Sequence, residues 1–177
     1  MTDKSDHKSI DRFNLHPSIK VLTFNFQNRG NIFDKGGAVK HAQQCAYSQM
    51  PDDWYLLIDS DICLPKNFDD LVVANLPGLD PDAVYGAQSR HDYSRLSDYR
   101  NRKNFYNYEW PHQIQGYFQL YRKKVFYKNS FDASACDLEF LRHFEKLHLL
   151  PNLNVDHLGK KGNWKGREIG SDFQIDI

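Results

Sequence analysis

The stretch Trp54-Tyr55-Leu56-Leu57-Ile58-Asp59-Ser60-Asp61-Ile62-Cys63-Leu64-Pro65 decides the fold. Its first five residues are bulky and apolar, the composition of a β-strand, and the run then stops at two aspartates one residue apart. Carboxylates at the end of a buried strand are costly unless a positive group sits on them. In extended backbone, positions two apart project to the same side, so Asp59 and Asp61 can face one cation. The pattern fits a divalent-metal site at the C-terminal edge of a sheet. It fits a strand followed by an acidic turn equally well.

Upstream, Ile19-Lys20-Val21-Leu22-Thr23-Phe24-Asn25-Phe26 reads as a strand, and a polar segment with Gly30 reads as a loop. Asp34-Lys35-Gly36-Gly37 opens a helix with Asp34 as N-cap, and Ala38, Ala42, Cys45 and Ala46 recur at helical spacing. Strand, helix and strand within about forty residues make a βαβ unit, whose strands are parallel and whose crossover is right-handed. Ligands of such sheets gather at the C-terminal strand ends, where Asp59 and Asp61 fall.

Downstream, the pattern predicts a helix over 65–75, a strand over 83–87, and a polar, basic and aromatic loop over 88–115 that covers a site. It then predicts a strand over 116–121, a short helix or turn over 122–127, a helix over 136–147 and a last strand over 153–158. Asp137 stands three residues after Ser134, the spacing of a capping-box partner. His157 ends the last strand, ahead of Gly159-Lys160-Lys161-Gly162-Asn163-Trp164-Lys165-Gly166-Arg167. That segment suits a pyrophosphate clamp, though it is neither a Walker loop nor a dinucleotide fingerprint, and a solvated basic tail reads the same.

With 177 residues the chain suits one domain with a real core. Its 23 basic and 23 acidic residues cancel, so broad affinity for nucleic acid or anionic membrane is not indicated and any anion site must be local. Cys45, Cys63 and Cys136 are odd in number and lack CxxC spacing, which reads as reduced thiols in a cytoplasmic protein. No apolar run is long enough to suggest a transmembrane helix; peripheral membrane association stays open. Carboxylates with one imidazole suit Mn²⁺ or Mg²⁺ better than Zn²⁺, because no thiolate cluster is offered.

Taken in order, DKGGAVKHAQQCA, WYLLIDSDICLP, GYFQLYRKKVF, SFDASACDLEFLRHF and VDHLGKKGNWKGR resemble the GT-A-type glycosyltransferases of the family-two kind, over about residues 20–167. The resemblance implies an α/β GT-A-like fold, a mostly parallel sheet flanked by helices. Residues 1–87 would be a partial nucleotide-sugar and metal half, and residues 88–177 an acceptor-side half with a C-terminal metal and diphosphate loop. It implies Asp61 as direct metal ligand, Asp59 as ligand or as ribose or water-mediated partner, and His157 as third ligand. Lys35, Asp59, Lys160, Lys161, Asn163 and Arg167 would bind the nucleotide sugar, with a UDP-sugar as the first expectation. Asp137 matches the Asp of the family's Glu-Asp motif, the base for an acceptor hydroxyl on a glycan or other molecule; Cys136 replaces the Glu.

Against the family pattern the chain lacks a first strand and helix, which implies a truncated or split form completed by an N-terminal fragment or an oligomer. Trp110, Tyr117 and Trp164 are candidates for sugar stacking or for core packing. Two other readings stay open: an inactive nucleotide-sugar-binding remnant and a nucleotidyltransferase.

Overall fold

The computed structural model describes residues 17–22, 34–59, 62–108, 116–130 and 133–158. Within them the order is α1 (Lys35–Gln49), β1 (Tyr55–Ile58), β2 (Ile62–Cys63), α2 (Phe68–Asn75), a short 3₁₀ turn (Leu76–Gly78), β3 (Val84–Tyr93), α3 (Leu96–Asn101), β4 (Tyr106–Tyr108), β5 (Phe118–Tyr121), α4 (Ala133–Leu141) and β6 (Leu147–Leu158). The chain is therefore α/β, with an open mixed sheet of six strands in the order β1-β5-β3-β6-β2 and β4 on the flank of β3. Of the five pairings among the described residues, only β3 with β6 is parallel, so the expected mostly parallel sheet is corrected to a mixed one.

The long β3–β6 ladder is the spine, and it breaks once. Ala87 pairs with Leu150, but the next pair is Ser89 with Asn154, so β6 carries extra residues around Asn152, whose φ of 63° is left-handed. Extra residues in one strand bend it and sharpen its twist. On one side of the break, β5 and then β1 extend the ladder at Val84 and Tyr85. On the other side, β4 joins at Arg90–Asp92, while β2 pairs with Asp156 and His157. β1 thus ends at Ile58 in one half, and β2 opens at Ile62 in the other.

Helices cover both faces of the first half. Phe68 and Val72 of α2 pack with Tyr85, Phe118, Leu120 and Leu150. On the opposite face, Val39 and Tyr47 of α1 and Cys136, Phe140 and Leu141 of α4 pack with Tyr55, Val84 and Tyr121. Alternate residues of β5 supply alternate faces, as a pleated strand requires. The buried stripe of α1 is Val39, Gln43 and Tyr47, four apart each time. Gln43 belongs inside because its amide donates to the Tyr121 hydroxyl at 2.9 Å and accepts from the Tyr127 N–H at 2.9 Å.

Several expected elements shift. Residues 17–22 contain no strand, and the remainder of the strand expected at 19–26 lies outside the described residues. The polar region after Ala87 is no long loop: β3 runs on to Tyr93, then α3 and β4 follow, while residues 109–115 lie outside the described residues. Residues 122–127 form no regular element, α4 stops at Leu141, and Leu147 opens β6. No disulfide joins the three cysteines. Among the described residues no helix is long and apolar enough to cross a membrane.

The glycines at the start of α1 have separate reasons. Gly36 donates its N–H to the Ser130 carbonyl at 3.3 Å, and a Cβ there would overlap the Lys128 carbonyl oxygen. A Cβ at Gly37 would overlap the capping carboxylate of Asp34, which accepts the Gly37 N–H at 2.7 Å. Gly78, by contrast, faces open space. Gly36→Ala should therefore destabilise the chain by about 1–3 kcal/mol through overpacking against backbone that cannot yield. Gly78→Ala should be neutral or stabilise by up to about 1 kcal/mol by restricting the unfolded chain. Urea denaturation of the two variants against the parent checks both signs.

Candidate functional site

Asp34 caps α1 and so fixes Lys35 in its first turn, where the side chain leaves toward the end of β1. Its ammonium lies 3.2 Å from Asp59 Oδ1 and 3.0 Å from Asp137 Oδ2. Asp59 is held by its own backbone, whose N–H donates to the Tyr117 carbonyl at 3.1 Å while its carbonyl accepts the Ile62 N–H at 3.2 Å. The side chains of Lys35 and Asp137 are 13% and 10% exposed, whereas that of Asp59 is 39% exposed. One cation thus bridges a buried carboxylate and a solvent-facing one, and the three groups together carry one negative charge when all are ionised.

Asp137 is not a helix cap. It lies past the first turn of α4, its Oδ2 accepts from Lys35, and its Oδ1 meets the Tyr127 hydroxyl at 3.1 Å. Gly116 makes room for it, since a Cβ there would overlap the carboxylate. Burial raises the Asp137 carboxyl above its ordinary value; Lys35 opposes the rise and Asp59 adds to it. For Lys35, burial pulls downward, but Asp59 and Asp137 together outweigh it and hold the ammonium above its ordinary value. A carboxylate with raised proton affinity, kept charged by an adjacent ammonium, is the condition a general base needs.

Behind Asp137 stands a buried polar chain absent from the sequence reading. The Tyr127 hydroxyl meets Asp137 on one side and Gln119 Oε1 on the other, while the Gln119 Nε2, fully buried, has no partner among the described residues. Burial raises the Tyr127 hydroxyl well above its ordinary value, so it keeps its proton. One proton cannot serve two acceptors. Either Asp137 is protonated and donates to Tyr127, or the Gln119 amide turns, donates through Nε2, and releases the Tyr127 proton to an ionised Asp137.

His157 occupies the second half of the sheet. Its Nδ1 lies 3.1 Å from Asp92 Oδ1, and its backbone pairs with Ile62, the residue after Asp61. Asp92 is also held by Arg90, with Nε at 2.8 Å from Oδ1 and Nη2 donating to Oδ2 at 3.2 Å. The Arg90 guanidinium lies over the buried Tyr117 ring at 4.7 Å, and of the two roles left open for Tyr117 its position in the core fits packing.

Of the expected site residues, Lys35, Asp59 and Asp137 come together, and His157 is set beside the strand that follows Asp61. Asp61, Lys160, Lys161, Asn163 and Arg167 lie outside the described residues, as do Trp110 and Trp164. Among the described residues no group of three or more His, Cys, Asp or Glu side chains is arranged to hold a metal ion. The donor chemistry of Asp59 and His157 still fits a hard divalent cation. One offers carboxylate oxygen and the other an imidazole with a carboxylate on Nδ1, the support that metal-ligating histidines almost always carry.

Comparison with family models, with curated proteins and with solved structures returns no match for the chain. Its chemistry is therefore argued from the geometry of these side chains. Lys35→Met leaves the buried Asp137 without its cation and should cost about 3–5 kcal/mol at neutral pH. The sign with pH is fixed by the raised proton affinity of Asp137: the stabilisation from its bound proton is present below the unfolded value and lost as pH rises through the folded one. Without Lys35 that folded value climbs further, so the penalty should shrink in acid. Urea denaturation of parent and variant at neutral and acid pH measures it, and an equal penalty at both would show that Lys35 does not hold an ionised Asp137.

Proposed function

We propose that the chain is a metal-dependent glycosyltransferase, moving a sugar from a nucleotide-diphosphate sugar to an acceptor hydroxyl with inversion. The observation that supports this most is convergence. Asp59 and Asp137 meet on Lys35, which is 102 residues from Asp137, so one residue from each of the Asp-Lys-Gly, Asp-x-Asp and acceptor-base matches lies in a single cluster.

In this reading Asp137 takes the proton of the acceptor hydroxyl. The freed oxygen attacks the anomeric carbon from the face opposite the diphosphate, and the bond to the diphosphate oxygen breaks. Lys35 on Oδ2 and Tyr127 on Oδ1 leave a carboxylate with lone pairs to spare, since two oxygens offer about four acceptor positions. Asp61 and His157, with Asp59, would hold Mn²⁺ or Mg²⁺, which supplies charge neutralisation at the departing diphosphate. Lys160, Lys161, Asn163 and Arg167 add donors for the same oxygens, with a UDP-sugar as the first donor to try.

A second reading has its own observation. Asp137 is almost fully buried and both its oxygens are occupied, so the Lys35 bridge also suits a structural clamp between α1 and α4 in a non-catalytic nucleotide-sugar-binding module. Asp137→Asn separates the two. In the transferase reading, turnover of UDP-sugars with Mn²⁺ should fall by about 10²–10⁴-fold while Mn²⁺-dependent UDP binding persists. Turnover equal to the parent would remove Asp137 as the base, and binding without turnover in the parent would favour the module.

A further inference from the structure

We infer that Asp92 is a positioning residue for His157, fixing its imidazole as the Nδ1–H tautomer so that Nε2 is the atom presented to a divalent cation. The inference rests on the proposal that His157 is a metal ligand.

Asp92 and His157 are direct partners in the parallel β3–β6 ladder, so their side chains leave the same face side by side. Their contact is 3.1 Å, with the Asp92 side chain only 3% exposed. The same Oδ1 lies 2.8 Å from Arg90 Nε, and Oδ2 accepts from Arg90 Nη2 at 3.2 Å. Both carboxylate oxygens face a guanidinium, which only donates, so each acts as an acceptor. His157 Nδ1 must therefore carry the hydrogen. In the neutral ring the lone pair is then on Nε2, the tautomer a metal takes. Arg90 is itself anchored over Tyr117, whose carbonyl receives the Asp59 N–H, so the chain from His157 leads back to Asp59.

The neighbouring residues build a similar chain on the other face of the same two strands. Asp156 meets His91 Nδ1 at 3.3 Å and is paired to Arg102, while the His91 ring packs 4.6 Å from Phe105. Consecutive strand residues face opposite ways, so this second chain points away from His157 and is an internal control.

The test is Mn²⁺ binding to the full chain, followed by the free-ion electron paramagnetic resonance signal with no sugar present. His157→Gln should abolish the binding. Asp92→Asn should weaken it by about 10–100-fold, the usual consequence of removing a carboxylate behind a ligating histidine. Asp156→Asn should leave it unchanged. Parent-like affinity in Asp92→Asn overturns the inference, as does parent-like affinity in His157→Gln, which also removes His157 as a ligand. Because Asp92→Asn also removes the carboxylate charge facing the buried Arg90, a measurement on the parent chain stands beside it. Ring ¹⁵N chemical shifts of His157, assigned by comparison with His157→Gln, should show hydrogen on Nδ1; hydrogen on Nε2 overturns the inference whatever the variants do. Mn²⁺ binding of this pattern without any sugar transfer leaves the inference standing and removes the transferase reading.

Discussion

The Lys35 ammonium, set between Asp59 and Asp137, is the contact on which the described structure most depends. It joins the first turn of α1, the end of β1 and the inner face of α4 through one nitrogen. Each neighbour is shaped around it: Asp34 aims the helix start, Gly36 lets that start press on residues 128–130, and Gly116 leaves space for the Asp137 carboxylate. An unpaired carboxylate at Asp137 would be expensive in this surrounding, and an unpaired ammonium nearly as much. With both present the burial is tolerable, and one negative charge remains on the exposed side at Asp59.

The break in the β3–β6 ladder accounts for how soon β2 follows β1 in the chain. A continuous flat sheet would place β1 and β2, four positions apart in the strand order, too far from each other for a three-residue connection. With the ladder broken at Ala87/Ser89, β1, which ends at Ile58, belongs to one half and β2, which opens at Ile62, to the other. Asp59, between the two strands, is thereby held from both sides. The Tyr117 carbonyl before it and the Ile62–His157 pair after it set its position from opposite halves of the sheet.

Local chemistry was legible in the sequence and long-range geometry was not. The Asp34 cap, the Lys35 helix entry, the strand ahead of Asp59 and the helix that bears Asp137 all follow from residues within a few positions of one another. The continuation of β3 past Ala87 does not, because Ser89, Arg90 and Asp92 are polar yet buried, and they become affordable only through partners far along the chain. Likewise Leu147–Leu150 extends a helical apolar pattern as well as it starts a strand, and the bulge near Asn152 hides the union of that run with the later one. Strand direction depends on which strands meet. No local spacing encodes that, so a βαβ reading overestimated the parallel share. Gln119 and Tyr127 carried no signal at all, since a Gln inside an apolar strand has meaning only once Asp137 is known to stand behind it.

That last pair bears on how Asp137 would work as a base. A base must accept a proton without its surroundings resisting the change, and buried hydrogen bonds usually resist, because a donor aimed at a carboxylate has no use for a carboxylic acid. Here the partner on Oδ1 is a hydroxyl, which donates or accepts as needed, and behind it is an amide, which presents either Nε2 or Oε1. With Asp137 ionised, the amide donates to Tyr127 and Tyr127 donates to the carboxylate. With Asp137 protonated, every bond in the chain reverses and none is lost. One end of the Gln119 amide stays outside the chain in each state, Oε1 when Asp137 is ionised and Nε2 when it is protonated. The interior behind Asp137 thus accommodates both of its protonation states, while Lys35 on the opposite oxygen favours the charged one from which a proton abstraction begins.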